Sequence, residues 1–288
     1  MCEDKLAQDE RVSLRGVTYH ISVRGLLDAP LVVFLHGFFG AGADFSHVVR
    51  TCCRSFRCVT VDLPGHGRSD TPDDPRRYAL PETAADLAEL LDYFQRETAS
   101  LVGYSMGGRS ALAFAAHFPK RVRSLALESA SPGLASPASR RARRQHDEAL
   151  AARFLATGLD RMVEVWENQP LFFSQRTLSA EQRASQRAVR LRQRPFGLAN
   201  SLLGAGTGAQ PSYWGSLARL RCPVLLVTGG QDEKFTRIAE RMAGLLPHCK
   251  HAQCVRAGHN VHLEEPDWYA EQVCDFLLHQ HRRGERME

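Results

Sequence analysis

The chain has 288 residues, 43% hydrophobic and 24% charged. That length fits one large α/β domain, or one with an inserted subdomain, around a sizeable core. No run of about 18 apolar residues occurs, so no membrane span is expected, and the polar, acidic start MCEDKLAQDE lacks the layout of a signal peptide.

In chain order, "LRGVTYHISVRG" (Leu14–Gly25) alternates and reads as an edge strand. Six short apolar runs read as buried strands: Leu31–Gly37, Phe56–Gly65, Ala99–Ser105, Val122–Ala130, Cys222–Gly230 and His251–His259. Helical spacing covers Pro81–Glu97, Gly107–Phe118, Thr236–Leu246 and Pro266–His279. This alternation predicts a mostly parallel, doubly wound α/β sheet with right-handed crossovers.

The alternation stops between Gly133 and Leu217, an Ala-, Arg- and Gln-rich stretch with helical spacing. We expect 133–217 to form a helical cap inserted into a core of 11–132 and 218–280, with 1–10 and 281–288 as tails. The formal net charge is +5. The inserted stretch holds 12 Arg, no Lys and 6 acidic residues, a local balance of +6 that leaves −1 elsewhere. Nucleic acid is a weak reading of that excess, because aromatic interleaving and a binding motif are both missing. Fork-like recognition of small carboxylates or phosphates suits an arginine-only segment better.

The eight cysteines fall partly in strand-like runs and form no C-x-x-C pair. Free thiols in a reducing cytoplasm are expected, with neither a zinc nor a thioredoxin-type site.

"GYSMGG" sets Ser105 on a tight strand-to-helix turn, with its hydroxyl at a helix N-terminus. A tight turn without catalysis is the competing reading, and the chain order decides against it. Asp232 follows the "PVLLV" strand and His259 follows the "HAQCV" run, which completes the order Ser, Asp, His of an α/β-hydrolase triad. His259 would take the Ser105 proton, and Asp232 would orient the imidazole. The backbone N–H groups of Phe38 and Met106 would form an oxyanion hole. His262 and Glu128 are the competing histidine and acid. Asp62 and His66 read as loop-shaping residues beside the pocket.

"GYSMGGRSAL", "ESASPGL", "RRARRQHDEAL", "VWENQPLF", "RLRQRP", "DEKF" and "AGHNVHLEEP" together resemble one α/β-hydrolase family. It is the menaquinone-pathway 2-succinyl-6-hydroxy-2,4-cyclohexadiene-1-carboxylate synthases, and the likeness runs from Leu31 to about Leu278. The resemblance implies a lyase rather than a hydrolase. The triad would abstract a proton and pyruvate would leave a tricarboxylate substrate, with Ser105 as the base and no cofactor or metal. It implies substrate binding by Arg109, Tyr104 and Trp166, and by the cap arginines Arg141, Arg144 and Arg192. His36, which ends the first long apolar run, is assigned to the same set.

For Arg140, Arg143, Arg153, Arg161, Arg176, Arg183, Arg187, Arg190 and Arg194 we expect helix faces coated in water. Phe172 and Phe173 are expected to pack within the cap. The alternatives are a serine hydrolase on the same triad, acting on esters or C–C bonds, and a non-catalytic binding protein. The expected partner is a small polycarboxylate, not nucleic acid or membrane, and either a monomer or a homo-oligomer fits.

Overall fold

The computed structural model describes residues 8–285; Met1–Ala7 and 286–288, part of the expected tails, lie outside them. The strands are β1 (Gln8–Leu14), β2 (Val17–Arg24), β3 (Leu31–Leu35), β4 (Arg57–Val61), β5 (Ala99–Tyr104), β6 (Val122–Glu128), β7 (Val224–Gly229) and β8 (Cys249–Cys254). They form one sheet in the order β1-β2-β4-β3-β5-β6-β7-β8. Pairing is antiparallel from β1 to β4 and parallel from there to β8.

β3, β5 and β7 are buried at every position because helices cover both faces. On one face lie α2 (Leu80–Tyr93), α3 (Met106–His117) and α8 (Glu233–Ala243), which share one apolar cluster with Val33 and Leu35 of β3 and Val224 and Leu226 of β7. On the other lie α1 (Ser46–Cys52) and α10 (Pro266–Glu285), packed on Val32 and Phe34. α9 (Val261–Glu264) is the single turn before α10. α1 spans only seven residues, too few for its periodicity to register in the sequence.

Three expectations need correction. The Leu14–Gly25 stretch breaks at Arg15 and Gly16, whose φ angles of 47° and 79° turn the chain into a hairpin. β1 therefore takes the edge. Its polar sequence hides it, and Gln8–Glu10, expected in a tail, pair with Ile21–Val23. At the other end α10 continues to Glu285, into the expected C-terminal tail. Finally, Cys52 and Cys274 are not free thiols. α1 packs against α10, which brings their Cα atoms to 5.6 Å, and a disulfide joins them.

Four helices lie between β6 and β7: α4 (Pro137–Ala156), α5 (Leu159–Glu167), α6 (Ala180–Leu191) and α7 (Pro195–Ala205). Phe154, Met162, Val163 and Leu198 form a small apolar cluster of their own, which closes on Phe39. The neck of this insertion is tied by the Tyr213 N–H to the Pro132 carbonyl at 2.7 Å and by Trp214 Nε1–H to the Gly133 carbonyl at 2.8 Å.

Candidate active site

Ser105 stands between the end of β5 and the start of α3, at φ 49° and ψ −105°. A non-glycine residue holds this conformation only where its surroundings enforce it. Here α3 sits directly on the sheet. A Cβ on Gly107 would lie 1.9 Å from the Leu35 carbonyl oxygen, and one on Gly103 would lie 2.6 Å from the Gly107 backbone. The Ser105 N–H donates to the Glu128 carbonyl at 2.8 Å and fixes the turn to β6.

His259 Nε2 lies 3.2 Å from Ser105 Oγ, and His259 Nδ1 lies 2.6 Å from Asp232 Oδ2. Asp232 caps α8, its Oδ1 accepting the Phe235 N–H at 3.1 Å. A carboxylate at Nδ1 keeps the proton there and leaves Nε2 free to receive one from Ser105. Both Asp232 and His259 are buried. β8 ends at Cys254, so His259 rides on a loop rather than on the strand end. Glu264 holds that loop, accepting the Gly258 N–H at 2.7 Å and the Asn260 N–H at 3.3 Å. Burial raises the Glu264 pKa against those bonds. The sequence reading missed this residue; "HLEEP" was its only trace.

The two competing candidates pair with each other. Glu128 Oε2 lies 2.7 Å from His262 Nδ1, and Glu128 Oε1 accepts the His262 N–H at 3.1 Å. Burial opposes the charged His262, but the Glu128 carboxylate outweighs it and the His262 pKa rises.

Ser105 and His259 open into a cavity of about 360 Å³ that Arg109, Tyr104, Phe38, Met106, Trp166 and Phe172 also line. Met106 is the first residue of α3, where helical geometry leaves the N–H without a partner. Among the described residues neither it nor the Phe38 N–H has a protein acceptor. Trp166 packs on Phe38 and Phe172, with ring centroids at 5.2 and 5.6 Å. Phe172 also meets the His259 ring, edge to face at 6.1 Å. Phe173 instead lies outside, 45% exposed under the Arg176 guanidinium.

His36 does not reach the cavity, which corrects its assignment to substrate. It is fully buried; its Nδ1–H donates to the Gly37 carbonyl at 2.7 Å and its Nε2 accepts the Leu63 N–H at 3.0 Å. Both nitrogens are used to hold the loop before Phe38. His66 packs on Phe38 and His36, as a loop-shaping residue should, and burial pushes its pKa down to about 3. Asp62 accepts the N–H groups of Gly42 and Arg68 at 2.7 and 2.9 Å.

Arg109 is 9% exposed, and its Nη1 donates to the Ala205 carbonyl at 2.7 Å and to Gln210 Oε1 at 3.1 Å. No carboxylate among the described residues forms an ion pair with it. Burial, followed by the like charge of Arg143, pushes its pKa down to about 10, so it stays charged at neutral pH.

The cap arginines need correction. Arg141 and Arg144 are exposed and do not line the cavity. Arg143, expected on a wet face, does line it, and its Nε donates to the buried Asp147 at 2.7 Å. The inward face of α4 carries Asp147, Ala151 and Phe154, and Arg143 sits one turn before Asp147 on that face. Arg192 faces a different cavity. Arg190 is 7% exposed and pairs with Glu167 at 3.1 Å, so it does not coat a wet face either. Two cavity residues, His146 and Lys234, were not singled out from the sequence. Lys234 comes from the first turn of α8, two residues after Asp232. Among the described residues, no group of three or more His, Cys, Asp or Glu is gathered to hold a metal.

A family model described as alpha/beta hydrolase fold matches residues 30–266. With the sheet order and the serine turn, it defines the class: the protein is an α/β hydrolase by fold. A relative from Bacillus subtilis, provisionally named 2-succinyl-6-hydroxy-2,4-cyclohexadiene-1-carboxylate synthase, is 41% identical over 91% of this chain and 95% of its own. The synthase of that name from Serratia proteamaculans is 32% identical over 88% of this chain and 96% of its own. The solved MenH structure from S. aureus superposes with a TM-score of 0.87 at 33% identity, covering 91% of this chain and 98% of that one. The chain belongs to the 2-succinyl-6-hydroxy-2,4-cyclohexadiene-1-carboxylate synthase family. No helix among the described residues is long and apolar enough to cross a membrane.

Proposed function

We propose that this enzyme is a lyase that eliminates pyruvate from 2-succinyl-5-enolpyruvyl-6-hydroxy-3-cyclohexene-1-carboxylate. The product is the cyclohexadiene for which its relatives are named. The observation that carries this reading is Arg109. It is a buried guanidinium without a carboxylate of its own, one turn after Ser105 and on the same cavity. A desolvated cation left unpaired is costly, and a substrate carboxylate supplies the missing partner. Arg143 and Lys234 bring two more cations to a substrate with three carboxylates.

His259 takes the Ser105 proton, and Ser105 Oγ then removes the proton from ring carbon 2, beside the succinyl ketone. The electron pair forms a double bond at position 2. The ring double bond moves from position 3 to position 4, and the bond from carbon 5 to the enolpyruvyl oxygen breaks. The departing enolpyruvate takes up a proton and leaves as pyruvate. No acyl-enzyme forms. The N–H groups of Phe38 and Met106 stabilise the negative charge that develops on the ketone oxygen. Tyr104, Trp166 and Phe172 pack the ring.

The partner on this reading is a small polycarboxylate rather than nucleic acid, and the setting is cytoplasmic. Incubation with the enolpyruvyl precursor should release pyruvate together with the diene absorbance. Absence of pyruvate, with rapid cleavage of p-nitrophenyl esters, would overturn the lyase in favour of a hydrolase.

A further inference from the structure

A second cavity, of about 330 Å³, shares no lining residue with the first. We propose that it is a binding site for a small hydroxylated organic anion. Its floor is one face of β2 and β4. Val17, Tyr19, Ile21 and Val23 of β2 point to the apolar core, while the alternate residues Thr18, His20, Ser22 and Arg24 are half-buried on the opposite side. An antiparallel sheet commonly keeps one polar face. Here His20, Ser22 and Arg24 of that face line the cavity together with Val49 of α1 and Val189 of α6.

The groups on this face fall into two sets. Asp62 is already saturated: besides the two N–H groups it accepts, His20 Nδ1 lies 3.0 Å away. Asp9 is likewise engaged, with Arg68 at 2.7 Å. The second set is free. Among the described residues, the half-buried Arg24 and the exposed Arg192 have no carboxylate or hydrogen-bond partner, and neither does the Thr60 hydroxyl. Thr60 stands directly opposite Ser22 in the antiparallel register. Two guanidiniums without a protein partner and the unpaired Thr60 hydroxyl, with the Ser22 hydroxyl held by Asp9, suit an anionic head that carries a hydroxyl group.

The wall between the two cavities is the loop after Phe38. Gln193 Nε2–H donates to the Gly40 carbonyl at 3.0 Å, and Gln193 Oε1 accepts the Gly67 N–H at 2.9 Å. Gly42 donates to Asp62. An occupant of the second cavity therefore rests against the groups that fix the Phe38 loop. Arg192, assigned to the substrate from the sequence, takes its place here instead.

The test is calorimetric titration of the full-length protein carrying Arg109→Ala, which weakens anion binding in the first cavity. Glycerol 3-phosphate and glycerate are titrated in parallel, and the tighter of the two identifies a phosphate ester or a carboxylate as the preferred head. One saturable site is expected for at least one probe. Adding Arg24→Gln and Arg192→Gln should weaken that site tenfold or more without changing the Tm of the unliganded protein. No saturable binding of either probe, or binding that the two substitutions leave unchanged, overturns the proposal.

Discussion

The backbone N–H of Arg109 donates to the Ser105 carbonyl at 3.0 Å, so the buried cation and the reacting hydroxyl are fixed by one turn of the same helix. Both side chains line one cavity, and the spacing between them cannot drift. Replacing Arg109 with Ala should lower kcat/KM for pyruvate release at least about 30-fold, the scale of one lost charged hydrogen bond. Arg109→Lys should recover little, because an ammonium cannot span the Ala205 carbonyl, Gln210 and a carboxylate at once. A steady-state rate equal to wild type in Arg109→Ala would reduce the arginine to packing.

Arg143 and Arg144 are neighbours in the sequence, but only Arg143 lines the cavity and Arg144 is exposed. Arg143→Ala should raise KM roughly tenfold, as expected when a charged contact to substrate is removed. Arg144→Ala should leave both constants within experimental error. Measured side by side, a larger effect at Arg144 would reverse the assignment of the α4 face.

Asp232→Asn keeps the α8 cap but removes the charge that holds the His259 tautomer. Turnover should fall by about 10²- to 10⁴-fold, the upper figure being the known cost of that substitution in a serine-protease triad. Circular dichroism should stay native. Near-wild-type turnover would shift attention to Glu128.

His66 supplies a pH dependence of stability. Its ordinary pKa is 6.5, and burial pushes it down to about 3 in the folded protein. Below pH 6.5 the unfolded chain binds a proton that the folded chain refuses. This one group therefore makes stability fall by roughly 1.4 kcal/mol per pH unit on acidification until the folded pKa is reached. Urea midpoints from pH 4 to 7 should show a shallower acid-side slope in His66→Gln than in wild type, whatever the offset between them. Parallel curves would remove His66 from the acid response.

The sequence made the reactive core legible because chain order and strand ends constrain it. Ser105, Asp232 and His259 each follow an apolar run, and the structure brings them within hydrogen-bonding distance. The cap was harder to read. On α4 the helical phase is marked by Asp147, a buried acid in a polar stretch, and not by the density of arginines around Arg141. Without that marker, choosing an arginine by motif picks the wrong side of the helix. Lys234 escaped for a related reason. Its neighbour Asp232 explained the segment chemically, and the first turn of α8 that brings the lysine to the cavity is invisible in one dimension. His36 shows the opposite error: a polar residue beside the site whose donors and acceptors are all spent on the backbone.

The bridge from Cys52 to Cys274 has a topological consequence. It closes 222 residues of sequence separation into a ring that contains Ser105, Asp232, His259 and all four cap helices. A protease that nicks the exposed cap once would open the ring without releasing a fragment. Such a nicked chain would migrate as one species on a non-reducing gel and as two after thiol treatment. Both halves of the relay, with the serine on one side of the cut and the aspartate and histidine on the other, would stay covalently joined.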